Sequence, residues 1–302
     1  MVPLRHNGAS IAVMTHTSAH TAHDHANGPS PHEPGADDMA DFLDLEADVL
    51  AAHLASVAAW LPVTTDPRHV VDLGCGTGAG TFALLTRFPR AAVTAVDASA
   101  PHLHRLRERA EADRVADRVR TVRADLDADW PGLGRPELVW ASASLHHVAD
   151  PDRTLRTVID LLAPGGLFAL VEVDSFPRFL PEDAPEDRPG LEERCHAAVA
   201  HRRAEHMPHL GADWGPRLTA AGFTVEGERT MTVHVESSGN EAVGPYALSV
   251  LGRLRDSAAD ALEAEDVAAL DRLLDTAGPH SVLRRGDLAV RTTRTVWAAR
   301  RT

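Results

Sequence analysis

The chain is 302 residues long, with a formal charge of −14 and a hydrophobic fraction of 44%. That length suits one large domain with an appended cap, and the acidic balance argues against a sequence-independent grip on nucleic acid, which needs cations to neutralise phosphates. Every one of the 30 basic residues is an arginine, so lysine Schiff-base chemistry and the P-loop lysine are excluded.

Residues 1–35 form a His-rich stretch with no apolar period and read as a disordered tail. Six histidines (His6, His16, His20, His23, His25 and His32) raise the option of a metal-binding tract, but no scaffold fixes them, and a flexible tail is the preferred reading. The stretch lacks the apolar core of a signal peptide, and no apolar run in the chain approaches the ~18 residues of a membrane span. A cytoplasmic location without a membrane partner is therefore expected. From Asp37 to Leu61, apolar residues recur at three- and four-residue steps (Phe42, Leu45, Val49, Leu50, Leu54, Val57), which predicts an N-terminal helix within segment 36–62 that Pro62 ends.

Next comes the stretch that organises the chain. Val70 to Cys75 reads as a strand, followed by a glycine string (Gly74, Gly76, Gly78, Gly80) and a helical pattern from Ala79 to Phe88. Strand, glycine turn and helix bring backbone N–H groups and a helix N-terminus to a ligand. A second strand, Ala92 to Asp97, ends on an acid 19 residues after Gly78, near the roughly 20 expected of a carboxylate that grips a ribose. Ser99 caps a helix to Ala112, Val119 to Arg123 is strand three, and Asp125-Leu126 follows its end. Strand four, Glu137 to Ala143, leads into Leu145-His146-His147. A helix capped by Asp150 and strand five, Leu167 to Asp174, complete a core spanning residues 63–174. Alternating strands and helices predict a doubly wound, mostly parallel α/β sheet. Ligands in such sheets sit beyond the carboxyl ends of the strands, which gathers Asp72, Gly74, Asp97, Asp125, Ser142 and His146 around one crevice.

Gly74, Gly76 and Ala79 also satisfy the looser dinucleotide fingerprint, which keeps a nicotinamide dehydrogenase among the readings. Asp72 counts against it, because a carboxylate there repels a pyrophosphate and suits a ligand that presents a cation. VVDLGCGTGAGT, then VTAVDAS, VRADL and LHHVADP…LLAPGG, closely resembles the class I S-adenosylmethionine (SAM)-dependent methyltransferases, in their small-molecule branch. The resemblance implies a Rossmann-like, seven-stranded sheet with an N-terminal helix and a helical cap or lid. It implies SAM as cofactor, held by Asp72, Gly74, Cys75, Gly76, Thr77, Gly78, Asp97, Ala98, Asp125, Leu126 and Ser142.

Past residue 174 the pattern changes. Residues 175–222 read as a cap insertion with a helix, and 223–302 as the last two strands (Phe223–Val235 and Leu288–Ala298) with lid helices between them. The acceptor is expected to be a small molecule in a specialised pathway, with O-methylation favoured over C- or N-methylation. His146 is the first choice for a general base and His147 the alternate, because histidine titrates near neutrality. Trp60, His146, Glu172 and Phe176 are the expected acceptor contacts. Cys75 and Cys195 form neither a disulfide framework nor a metal spacing, and no metal is expected. A homodimer is left open. A SAM-binding protein without methyl transfer is the other class of reading.

Overall fold

In the computed structural model, residues 36–302 are described; the His-rich segment 1–35, with its tail and metal readings, lies outside the described residues. The first helix, α1 (Ala36–Trp60), is followed by β1 (His69–Leu73), α2 (Ala79–Arg87), β2 (Ala92–Asp97), α3 (Ala100–Ala112), β3 (Val119–Arg123), β4 (Leu138–Ser142), α4 (Pro151–Leu161) and β5 (Leu167–Val173). Then come α5 (Leu191–His206), α6 (Gly215–Ala220), β6 (Phe223–Glu236), α7 (Val243–Ala258), α8 (Ala264–Leu274) and β7 (Ala289–Arg301). The strands form one seven-stranded sheet in the order β3-β2-β1-β4-β5-β7-β6. The pairs β1–β2, β1–β4, β2–β3 and β4–β5 are parallel; β7 runs antiparallel between β5 and β6. Strand order reverses between β1 and β4, so the crevice for a ligand lies at the carboxyl ends of these two strands.

The two-residue period of each strand sorts its side chains between faces. Val70, Val93, Ala95, Leu138, Trp140, Ala169, Val171, Val296 and Ala298 pack under α1, α2 and α3. Val71, Leu73, Val139, Ala141, Phe168, Leu170, Trp297 and Ala299 pack on the opposite face, against α4 and α6. Helix ends follow the sequence signals. Ser99 accepts a hydrogen bond from the His102 N–H, and Asp150 from the Arg153 N–H, each before a proline in the first turn.

The β6–β7 pairing runs from Phe223↔Arg301 to Glu236↔Ala289, whereas β5 pairs with β7 only as far as Val173↔Arg294. The hairpin thus continues past the sheet, and its free half carries a second core. Phe179, Leu191, Cys195, Tyr246, Leu251, Leu270, Val233 and Val290 pack there with Val49 and Leu50 of α1. The inserted helices are therefore packed together with the N-terminal helix, and the described residues, 36–302, lie in one compact unit.

Candidate active site

A cavity of about 500 Å³ opens at the carboxyl ends of β1, β2 and β4. Asp72 and Trp140 reach it from their strands, Asp97 and Ser142 from strand ends, and Met39, Leu43, Glu46, Ala47, Leu50 and Leu54 close it from α1. Asp72, Asp97 and Ser142 share the parity of Val70, Ala95 and Trp140, so all three stand on the face under α1.

Asp72 is buried and accepts a 2.6 Å hydrogen bond from the Thr81 hydroxyl. Burial raises its pKa from 3.8 to about 7; the Thr81 bond opposes the shift and the nearby charge of Asp97 adds to it. Asp97 is tied differently. Its Oδ2 accepts from the Gly76 N–H at 2.9 Å, and its Oδ1 accepts from the Ser99 N–H at 2.8 Å and lies 3.3 Å from His102 Nδ1. Burial pushes this carboxyl up, but the bonds from His102, Ser99 and Gly76 outweigh it and hold its pKa below the ordinary value. Asp97 is therefore an anion on the cavity wall, with one hydrogen bond to Oδ2 among the described residues. Asp125 accepts from the Asp127 N–H through Oδ1, and its other oxygen has no hydrogen bond among the described residues.

Gly74 shows why the turn is built of glycine. Its φ is +66°, and a Cβ there would lie 2.4 Å from Ser144 Cβ. Gly78 does not line the cavity, contrary to the expectation that it touches cofactor. It caps α2 at φ +101°, where a Cβ would lie 2.8 Å from Phe82 and 2.9 Å from Leu106, so its role is to seat the helix. Gly74, Cys75, Gly76, Thr77, Ala98, Asp125 and Leu126 all line the cavity as expected. Burial pushes the Cys75 thiol well above its ordinary range, which leaves a small inert wall.

SAM carries a sulfonium and an amino-acid tail, and the donor set matches it. Two buried donors on the cavity wall, Thr77 Oγ1 and Trp140 Nε1, have no partner among the described residues. They suit a carboxylate, Asp72 beside them suits an ammonium, and the carboxylate of Asp97 suits a sugar hydroxyl.

The acceptor side departs from the sequence expectation. Glu172 follows Phe168 and Leu170 in the period of β5, so it points away from the face under α1. There its Oε1 accepts from the Leu145 N–H at 2.8 Å, and its Oε2 lies 2.5 Å from His146 Nδ1. Both partners are buried and neither lines the cavity, which removes His146 as first choice for the base and Glu172 as an acceptor contact. Of the His146-His147 pair, His147 is the one that lines the cavity. Its ring centroid stands 4.1 Å from that of His146. The residue as a whole is solvent-exposed, yet desolvation of its ring, with the neighbouring His146 as a lesser cause, lowers its pKa. Trp60 instead packs against β6, where a Cβ on Gly227 would lie 2.9 Å from its ring. Phe176 lies 3.9 Å under the guanidinium of Arg203, away from the cavity.

Five polar residues at the cavity escaped the sequence reading: Glu46, His102, Asp127, Ser144 and Arg294. Arg294 Nη2 donates to Glu46 Oε1 at 2.7 Å across 248 residues of chain, and the Tyr246 hydroxyl bonds the same oxygen at 3.1 Å. One signal was available. Arg294 shares the strand parity of Val296 and Ala298, which marks it as an arginine facing the core.

A Rossmann-like sheet with this glycine turn and two acids at its strand ends fits the class I SAM-dependent methyltransferases. Comparison with known proteins agrees. Residues 71–168 match the Methyltransferase domain family. The trans-aconitate 2-methyltransferase of Paracidovorax citrulli is 33% identical over 217 residues, covering 70% of this chain and 79% of that protein. The malonyl-[acyl-carrier protein] O-methyltransferase of Halorhodospira halophila is 37% identical over 166 residues, 54% of this chain and 50% of that one. The YcgJ protein of Bacillus subtilis shares the fold at a TM-score of 0.51 and 15% identity, covering 82% of this chain and 98% of that one. The chain belongs to the small-molecule branch of the SAM-dependent methyltransferases.

Proposed function

We propose that the enzyme is an O-methyltransferase of a small molecule, with His147 as the proton acceptor. The observation that carries this is the placement of His147 on the cavity wall with no hydrogen bond to either ring nitrogen among the described residues. Its lowered pKa keeps it in the free-base form at neutral pH. Asp72, Thr77 and Trp140 hold the amino-acid tail of SAM, Asp97 the ribose, and Asp125 with Leu126 the adenine. SAM supplies an electrophilic methyl group on a sulfonium. The protein's share is to hold an acceptor oxygen in line at near-attack distance and to receive its proton on His147 as the new bond forms. His146, locked to Glu172, backs the His147 ring and fixes its plane. The oxygen chemistry of the malonyl relative supports the choice of atom, and the charge of −14 supports a small acceptor over a polynucleotide.

The test is release of S-adenosylhomocysteine against hydroxyl, carboxyl, amine and carbon acceptors, with trans-aconitate among the acids. His147→Asn is expected to lower kcat on a hydroxyl acceptor roughly 100-fold or more while SAM affinity holds. The wild-type rate should keep its plateau below pH 6.5, the ordinary histidine value, because the base form survives to lower pH. An unchanged rate in the variant would remove His147 from the chemistry. SAM binding with no turnover on any acceptor would point to a SAM-binding protein of another role.

A further inference from the structure

Arg294 has five N–H donors and makes one hydrogen bond among the described residues, to Glu46. It is 5% exposed, its Nε is buried without a partner, and it stands on the cavity wall. Buried guanidinium donors are seldom left unmet in a finished site, because the lost hydration is not returned. The residue sits where β5 gives out, at the pair Val173↔Arg294, and its side chain stands on the face under α1, where it meets Glu46. In the strand order it lies three strands from β1, roughly 14 Å at about 4.8 Å per strand. That backbone spacing sets Arg294 on a strand well apart from the one that carries the glycine turn, in the same cavity. His147, which follows β4, lies between the two.

The charged and titratable groups around Arg294 are accounted for. Glu46 takes one edge of the fork and shares its oxygen with Tyr246. Asp174 is held by the Thr295 hydroxyl at 2.8 Å. Burial, helped by the charge of Arg294, lowers the pKa of His53 to about 4, so this ring is neutral; its Nε2 is also buried without a partner. What remains is a fixed fork with a free edge, the geometry that takes a carboxylate through two parallel N–H···O bonds.

We propose that Arg294 is the acceptor-recognition residue and that the acceptor is a small organic acid whose carboxylate docks on its free edge. The proposal deepens the methyltransferase reading, on which it rests for the presence of an acceptor in this cavity. The carboxylate is the handle; the oxygen that receives the methyl group belongs to the same molecule.

The test is calorimetric binding of succinate, glutarate, tricarballylate and benzoate to the full chain saturated with S-adenosylhomocysteine. Succinamide serves as the neutral control. At least one acid is expected to bind while succinamide does not, and Arg294→Gln is expected to weaken that acid roughly 10- to 100-fold. Arg294→Lys, which keeps the charge and loses the fork, should recover only part of the loss. Because Arg294→Gln leaves Glu46 with the Tyr246 hydroxyl but without its cation, the double variant with Glu46→Gln is carried alongside, and S-adenosylhomocysteine affinity reports whether each variant has folded. In turnover the loss should fall on KM for the acid, with kcat nearly unchanged. The assignment is overturned if no acid binds, if succinamide binds as well as the acids, or if acid affinity survives in folded Arg294→Gln. Acid binding that depends on Arg294 without methyl release keeps this assignment and sinks the transfer reading. Turnover of acceptors indifferent to Arg294 does the reverse.

Discussion

Asp72 and Asp97 are two cavity carboxylates on neighbouring strands with opposite electrostatics. Asp97 is surrounded by donors and stays ionised, whereas Asp72 has one hydroxyl and a dry wall. Without SAM, the raised pKa of Asp72 has a definite sign. Between 3.8, its ordinary value, and about 7, the folded chain binds a proton that the unfolded chain has released. Stability in this window therefore falls as pH rises, by at most about 1.4 kcal/mol per pH unit. Asp72→Asn should remove that slope, so the variant gains on the wild type from pH 4 to pH 7 in urea titrations of the SAM-free proteins. Parallel curves would mean that Asp72 is charged throughout. In the proposed binding mode the SAM ammonium favours the Asp72 carboxylate, so binding near pH 6 should release a proton.

At the scale of elements, the cap depends on a few buried polar ties. Glu192 at the start of α5 accepts from the N–H groups of Phe179 (3.0 Å) and Leu180 (2.9 Å), in a segment that pairs with the backbone of β7 through the isolated bridge Arg178↔Arg291 and the Ala289 N–H on the Phe179 carbonyl. Glu192→Ala strands both donors and should cost at least about 1–3 kcal/mol in urea unfolding; a loss below ~0.5 kcal/mol would show that the segment finds other partners. What could be read from the sequence divides along the same elements. β2 and β3 lie where alternation and the flanking turns put them, and α3 and α4 begin at the caps Ser99 and Asp150. That Asp72, Gly74 and Asp97 meet at one cavity was legible because they belong to one strand–turn–helix–strand run, whose local chemistry fixes their directions. Glu172 was misjudged by one step of strand parity. Glu46, Tyr246 and Arg294 lay out of reach because they meet only through tertiary packing, 200 and 248 residues apart in the chain. Trp60 and Phe176 drew notice as aromatic residues, yet each packs on a neighbouring chain segment.

At the scale of the molecule, α1 belongs to two cores: Leu54 and Val57 pack over the sheet, Val49 and Leu50 under the cap. Sheet and cap should then unfold together, in one transition, and a ligand bound between them should protect both. At 100 times its Kd, S-adenosylhomocysteine is expected to add about 2.7 kcal/mol, and to raise a single Tm by roughly 5–10 °C. Two separate calorimetric transitions, with only one responding to ligand, would contradict this coupling. The overhanging hairpin of β6 and β7 carries a further consequence. Its first half is stitched to the sheet that reads the donor, while its free half bears the helices beside Arg294. Substitutions in the overhang can therefore retune which acid is accepted and leave the donor machinery alone. A lineage can diversify its chemistry from this outer span inward, with the glycine turn as the part held constant.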